Sequence, residues 1–149
     1  NPIATISPPG SPIILGVGVN SDTNRIYVTD AGGGTQNVFV IDGNTNILIA
    51  TIPMGVSPFG VAVNPNTNRI YVTNNVSTVK VIDGNSNTVI TTIPIGTSSL
   101  DVAVNPYSNR VFVTNSVAGT VSVIDGDSNT VVSTIGVGTN PVGVAVMLL

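Results

Sequence analysis

The chain has no cysteine, no histidine and no tryptophan, and its seven acidic residues are all aspartate, so glutamate is missing as well. Without cysteine there are no disulfides and no thiolate metal sites, and the redox compartment stays open. Without histidine or cysteine there is no Ser-His-Asp or Cys-His pair, and haem has no ordinary ligand. Charge of either sign is scarce, at 7% of residues against about a quarter in an ordinary soluble domain. The four basic residues, Arg25, Arg69, Lys80 and Arg110, are too few to neutralise a phosphate backbone, which argues against nucleic acid as a partner. Long apolar runs are also missing, although 42% of residues are hydrophobic. The runs are cut short by Asn, Gly, Pro or Asp, and none approaches the roughly 20 residues a membrane-spanning helix needs. No membrane insertion is expected, and the apolar end VGVAVMLL reads as a strand. The chain opens at Asn1 without a methionine, as a mature secreted chain or a fragment would. A surface rich in Thr, Asn and Ser and poor in Lys and Glu suits an extracellular or cell-surface setting.

What is present is repetition. NRIYVTN at 68–74 recurs as NRIYVTD at 24–30 and NRVFVTN at 109–115, and VIDGNSNTVITTI at 81–93 recurs at 40–52 and 123–135. GVAVN at 60–64 recurs as GVGVN at 16–20, DVAVN at 101–105 and GVAV at 143–146. Arg25, Arg69 and Arg110 stand 44 and 41 apart, the longer interval reflecting the loop AGGGTQ at 31–36. Each copy holds four short runs of Val, Ile, Thr and Tyr separated by turn residues. The turn at 64–68 sets a fixed-φ Pro among αL-tolerant Asn residues, and the turn at 83–87 opens with Asp-Gly, a hairpin signal. No segment sustains a helical apolar period.

Four strands joined by short hairpins make an antiparallel meander. Along the second strand Ile70 and Val72 point one way while Tyr71 and Thr73 point the other. Both faces of each sheet are at least half apolar and need cover on both sides. Stacking the repeats face to face around an axis supplies it, so the predicted class is all-β, with β-propeller blades.

Tyr71-Val72-Thr73-Asn74, followed by VIDG and the closing GVAVN, resembles the YVTN-type β-propeller repeat. The resemblance covers nearly the whole chain in three copies, departing where Asp30 ends the first and Phe112 opens the third. It implies a propeller of the kind found in surface-layer and secreted proteins of archaea and bacteria, acting as a scaffold or an adhesion module.

Naming the strands of a copy a to d from GVAVN outward, the chain reads as three full blades, about 14–52, 58–93 and 100–135, in a single partial propeller domain. An orphan d strand at 3–6 and an orphan a strand at 142–147 flank them. Closed propellers hold about four to eight blades, so two blade faces and two edges are left open. The expected partner is therefore a second copy, joined by a heterologous end-to-end contact that gives a ring or a filament. Ile3, Ala4, Thr5 and Ile6 at one end, with Val142, Val144 and Val146 at the other, are the candidate assembly residues.

Arg25 with Asp42, Arg69 with Asp83 and Arg110 with Asp125 are expected to pair across strands b and c, bracing each hairpin rather than forming a ligand site. Asp125-Gly126-Asp127-Ser128-Asn129 looks like the opening of a calcium loop, which makes Asp125, Asp127 and Asn129 the metal candidates. The bidentate Glu that completes such a loop is missing, and a plain hairpin turn is the preferred reading. The acids outside the repeat, Asp22, Asp30 and Asp101, have no evident reason to converge. Gly32-Gly33-Gly34 lies in a hairpin loop rather than before a helix, so it is no phosphate cradle. No catalytic residue and no cofactor are expected. Asn75-Val76-Ser77 is a glycosylation sequon in an exposed b–c loop. Phe39, Lys80 and Ser122 share one repeat position, and their divergence argues against a buried site in every blade.

Two functions are in play. The first is a non-enzymatic structural protein that self-assembles through its ends. The alternative is a piece of a larger surface propeller that binds a glycan or a surface protein. A binding site needs polar and aromatic groups that break the repeat, and only Phe59 and Tyr107 offer themselves.

Overall fold

The computed structural model describes residues 4–32, 34 and 36–147, which hold twelve strands and no helix. The first blade contains β1 (Ile14–Asn20), β2 (Arg25–Asp30), β3 (Asn37–Asp42) and β4 (Ile47–Pro53). The second contains β5 (Pro58–Asn64), β6 (Arg69–Asn74), β7 (Thr78–Asp83) and β8 (Thr88–Pro94). The third contains β9 (Ser99–Asn105), β10 (Arg110–Asn115), β11 (Thr120–Asp125) and β12 (Thr130–Gly136). Each blade is a four-stranded antiparallel meander in sequence order, the architecture of a β-propeller blade.

The hairpins form for a local reason that differs from the Asp-Gly signal. Gly43, Gly84 and Gly126 do not take positive φ; Asn46, Asn87 and Asn129 do, at 58°, 54° and 54°. Asn accepts the left-handed region more readily than any other common residue with a Cβ. The Asp at the head of each turn holds it by accepting two backbone N–H bonds, as Asp83 does from Asn85 and Ser86. The glycines serve close approach instead. A Cβ on any of them would collide with the side chain of Asn24, Asn68 or Asn109, which crosses over the turn. In the outermost strand every blade carries the same register shift against its neighbour, opposite Val40/Ile41, Val81/Ile82 and Val123/Ile124. A bulge there bends the outer strand and increases its twist.

The core lies between blades. Tyr27, Val38, Val40 and Ile52 of the first blade pack against Val61, Ile70, Val72 and Ile82 of the second. The same positions repeat one blade on, with Tyr71, Val79, Val81 and Ile93 against Val102, Val111, Val113 and Ile124. On the innermost strands the backbones touch. Thr29 Oγ1 donates to Phe59 O at 2.7 Å, and Thr73 Oγ1 to Leu100 O at 2.6 Å. Gly16 and Gly60 permit this, because a Cβ on either would stand 2.7 Å from the same carbonyl oxygens.

The terminal segments read as orphan strands enter no ladder. Ile3 lies outside the described residues, Ala4 and Thr5 are exposed, and Ile6 is half-buried without a strand partner. Residues 142–147 also lack a partner strand, since an innermost strand bonds only to the second strand of its own blade.

Two expectations follow from this packing. Ile93→Ala empties a filled interface and lowers stability by about 2–5 kcal/mol in urea unfolding, whereas Ile135→Ala at the equivalent exposed position stays within about 0.5 kcal/mol. The buried Tyr71 hydroxyl has no hydrogen-bond partner and the third blade uses Phe112 at that position, so Tyr71→Phe leaves the melting temperature unchanged or raises it.

Candidate functional site at the end faces

The repeated charges brace hairpins in two of the three blades. Arg69 meets Asp83 and Arg110 meets Asp125, each with N–O separations of 2.5 Å. Arg25 stands opposite Asp42 in the ladder but donates instead to Gly84 O in the next blade, so the third expected pair does not form. The first blade also differs at the first residue of the following strand. Ser86 and Ser128 share hydrogen bonds with Thr88 and Thr130, at 2.7 and 2.8 Å. Ile47 occupies that place in the first blade and offers no hydroxyl, so Thr45 turns its own onto Asp42 Oδ1 at 3.1 Å. Asp42 Oδ1 thus accepts three hydrogen bonds, from Asn44 N, Thr45 N and Thr45 Oγ1.

All three aspartates are held below the usual carboxylate pKa. Backbone N–H bonds are the main cause: from Thr45 for Asp42, from Asn85 for Asp83 and from Ser128 for Asp125. The same bonds answer the calcium reading. Asp125 Oδ1 accepts from Asp127 and Ser128, its Oδ2 takes Arg110, and Asp127 Oδ1 accepts from Asn109. A guanidinium already fills the place a cation would take, and no metal-competent group of three or more His, Cys, Asp or Glu occurs among the described residues.

The other candidates do not converge. Asp22 lies in the β1–β2 turn and Asp30 at the far end of β2, while Asp101 is the third residue of β9 in another blade. Asp30 Oδ1 accepts from Ile13 N and Gly32 N, fastening the loop of which Gly32 and Gly34 are described residues. Asn75 is exposed, with its Oδ1 accepting from Ser98. Tyr107 projects from a turn, and Phe59 is half-buried on β5. The position shared by Phe39, Lys80 and Ser122 is not buried in every blade, in line with its divergence. Phe39 and Ser122 are buried, and the half-buried Lys80 reaches Met54 O with its amino group.

The end faces stand apart from all of these. Ile52 and Ile93 are 3% and 2% exposed beneath the following blade, but Ile135 at the same position is 47% exposed. On the opposite side Val61 and Val102 are 9% and 5% exposed, while Val17 is 65% exposed. The third blade thus presents the face that the first two use toward their successors. The first blade presents the face that the other two use toward their predecessors.

Part of the third blade's open face is occupied. Thr114 Oγ1, the counterpart of Thr29 and Thr73, donates to Val142 O at 3.2 Å, and Val144 N donates to Asp101 Oδ2 at 2.9 Å. Residues 142–147 therefore lie where the innermost strand of a further blade would run. The start of this segment and those of β1, β5 and β9 line a groove of about 280 Å3 in which Asp101 is the single charged residue.

No family model and no curated protein sequence matches the chain. Solved structures do. Hydrazine synthase of Kuenenia stuttgartiensis aligns with a TM-score of 0.82 at 20% identity, over 96% of this chain and 41% of its own. Two structures of AztD from Citrobacter koseri align with TM-scores of 0.74 and 0.67 at 17% and 15% identity, over 97% and 89% of this chain. The chain spans 40% and 49% of those AztD chains. At such identity the likeness shows the β-propeller fold alone.

Acidification gives a test of the turns. A carboxylate whose pKa is lowered by folding contributes stability above its unfolded pKa of about 3.9 and loses it as pH falls through the folded value. Melting temperature is therefore flat from neutral pH down to about 4 and drops below that, and Asp83→Asn makes the drop shallower.

Proposed function

We propose that this chain is a non-enzymatic structural module of the YVTN-type repeat class, working at an extracellular or cell-surface location. Its activity is to associate end to end through the open faces of its first and third blades. The observation that carries the reading is the matched exposure of Val17 and Ile135, whose counterparts are sealed between blades. The occupant of each face is a second copy, because the complementary surface exists on the chain itself and already forms two interfaces within it. The contact is heterologous and generates a ring or a filament according to the rotation it imposes. Neither face opposes packing with a cluster of charge, at a net charge of −3 for the chain. With no histidine or cysteine and with the repeated Asp42, Asp83 and Asp125 bound into turns, the chain is poorly equipped for acid–base or nucleophilic chemistry.

Sedimentation velocity and electron microscopy test this directly. The chain is expected to associate as concentration rises, and Val17→Asp or Ile135→Asp alone blocks growth at one face. Mixing these two variants leaves one intact pair of faces, so the mixture forms dimers and nothing larger. A chain that stays monomeric to millimolar concentration, or a mixture that does not dimerise, overturns the reading.

A further inference from the structure

We propose that the seat on the third blade held by residues 142–147 is the docking seat for β1 of a second copy, with Asn105 of one chain donating to Asn24 of the other. The inference rests on the end-to-end reading and adds to it the element that docks and the contact that sets its register.

The register comes from a relay of asparagines along one rim. Asn20 Nδ2 donates to Asn68 Oδ1 in the next blade at 2.8 Å, and Asn64 Nδ2 donates to Asn109 Oδ1 at 2.7 Å. Both donors close an innermost strand and are buried. Both acceptors are held in the left-handed region, at φ 51° and 50°, and pass the relay on, Asn68 to Asn85 and Asn109 to Asp127. Each end of the protein holds half of one more step. Asn105 is half-buried, and among the described residues its side chain uses only its oxygen, accepting from Tyr107 and Ser108. Asn24 adopts φ 50° and donates to Asn44, but its Oδ1 receives no donor from a preceding blade. A half-step that donates and a half-step that accepts, with the same backbone geometry as the completed steps, fit each other.

The seat repeats as regularly. Thr29 and Thr73 take the carbonyls of Phe59 and Leu100, each the residue before the glycine that opens GVAVN-type sequence in the next copy, or before Asp101 in its place. The corresponding acceptor for Thr114 in a second copy is Leu15 O, before Gly16. Residues 143–146, Gly-Val-Ala-Val, resemble Gly16–Val19 and hold this seat meanwhile. Their hold is slight: Thr114 and Asp101 supply the two hydrogen bonds, and no ladder backs them. β1 arrives bonded to β2 along its length. When the two compete, the segment at 142–147 is the one that leaves, since β1 arrives already ordered by its ladder and brings the rest of its blade's apolar face against the exposed Ile135, whereas the segment offers two hydrogen bonds. Asp101, standing where the first two blades have Gly16 and Gly60, is the clip. Its carboxylate holds Val144, and the segment sits back, 3.2 Å from Thr114 rather than 2.6–2.7 Å.

A seat filled by an internal competitor weakens docking by the fraction of time it is filled. Val144→Pro removes the N–H that Asp101 accepts and loosens the segment in the otherwise intact chain. Sedimentation velocity over a concentration series is expected to show Val144→Pro and Asp101→Gly associating at about tenfold lower concentration than the parent. Asn105→Ala and Asn24→Ala each raise the association midpoint by about fivefold, and the double variant raises it no further, as a shared bond requires. Parent association with Val144→Pro and Asp101→Gly unchanged or weaker overturns the seat. An unchanged midpoint in Asn105→Ala overturns the register. In both cases the end-to-end reading stands. A parent and a Val144→Pro chain that both remain monomeric remove that reading, and this inference with it.

Discussion

Each four-stranded sheet in this protein is apolar on both faces, and that constraint governs everything else in the molecule. A sheet of this kind has no solvent side, so a single blade cannot be a stable unit. Stability comes from covering one blade with the next: Tyr27, Val38, Val40 and Ile52 find Val61, Ile70, Val72 and Ile82, and the same pattern is used again one blade further on. The interfaces are the core, with no separate interior apart from them. Polar groups at the seams follow suit. The threonines of the second strands and the asparagines that close the inner strands bond across to the following blade.

An arrangement that passes cover from one unit to the next has no natural stopping point short of a ring. Of the six faces of three blades, the two interfaces cover four, and the outer two remain suited to each other because they are copies of surfaces that already fit. The neighbours of known structure carry the same fold over a longer chain, of which this one spans 40–49%. The question a partial propeller raises is therefore what supplies the next blade, and the exposed valines, the half-completed asparagine relay and the provisional strand at 142–147 all bear on it.

Most of the architecture was legible in the residues. The strands, their order and the pairing of the second with the third follow from alternation and from turn residues at fixed offsets, and both are local. The Arg69–Asp83 and Arg110–Asp125 pairs were legible for the same reason, since antiparallel pairing brings the start of one strand to the end of the next. The departure at Arg25 was not legible, because the acceptor that takes its guanidinium, Gly84 O, belongs to the next blade. Asp-Gly marks the hairpins where they form, but what the glycines do, which is to let Asn24, Asn68 and Asn109 pass close by, is a contact invisible in a linear pattern. Divergence at Phe39, Lys80 and Ser122 marks a position that is not buried in every blade, since Phe39 and Ser122 are covered and Lys80 is only half-buried.

By itself the sequence determined the blade: its four strands, its turns, and which side chains share a face, because the pleat and the hairpin act over a few residues. Only the tertiary structure decided how blades meet. The threonine and asparagine bonds along the inner strands join residues 27 to 48 positions apart, and they exist because stacking sets one inner strand against the next. A repeat can be read in one dimension, but whether its last face is covered, and by what, is a property of the stack.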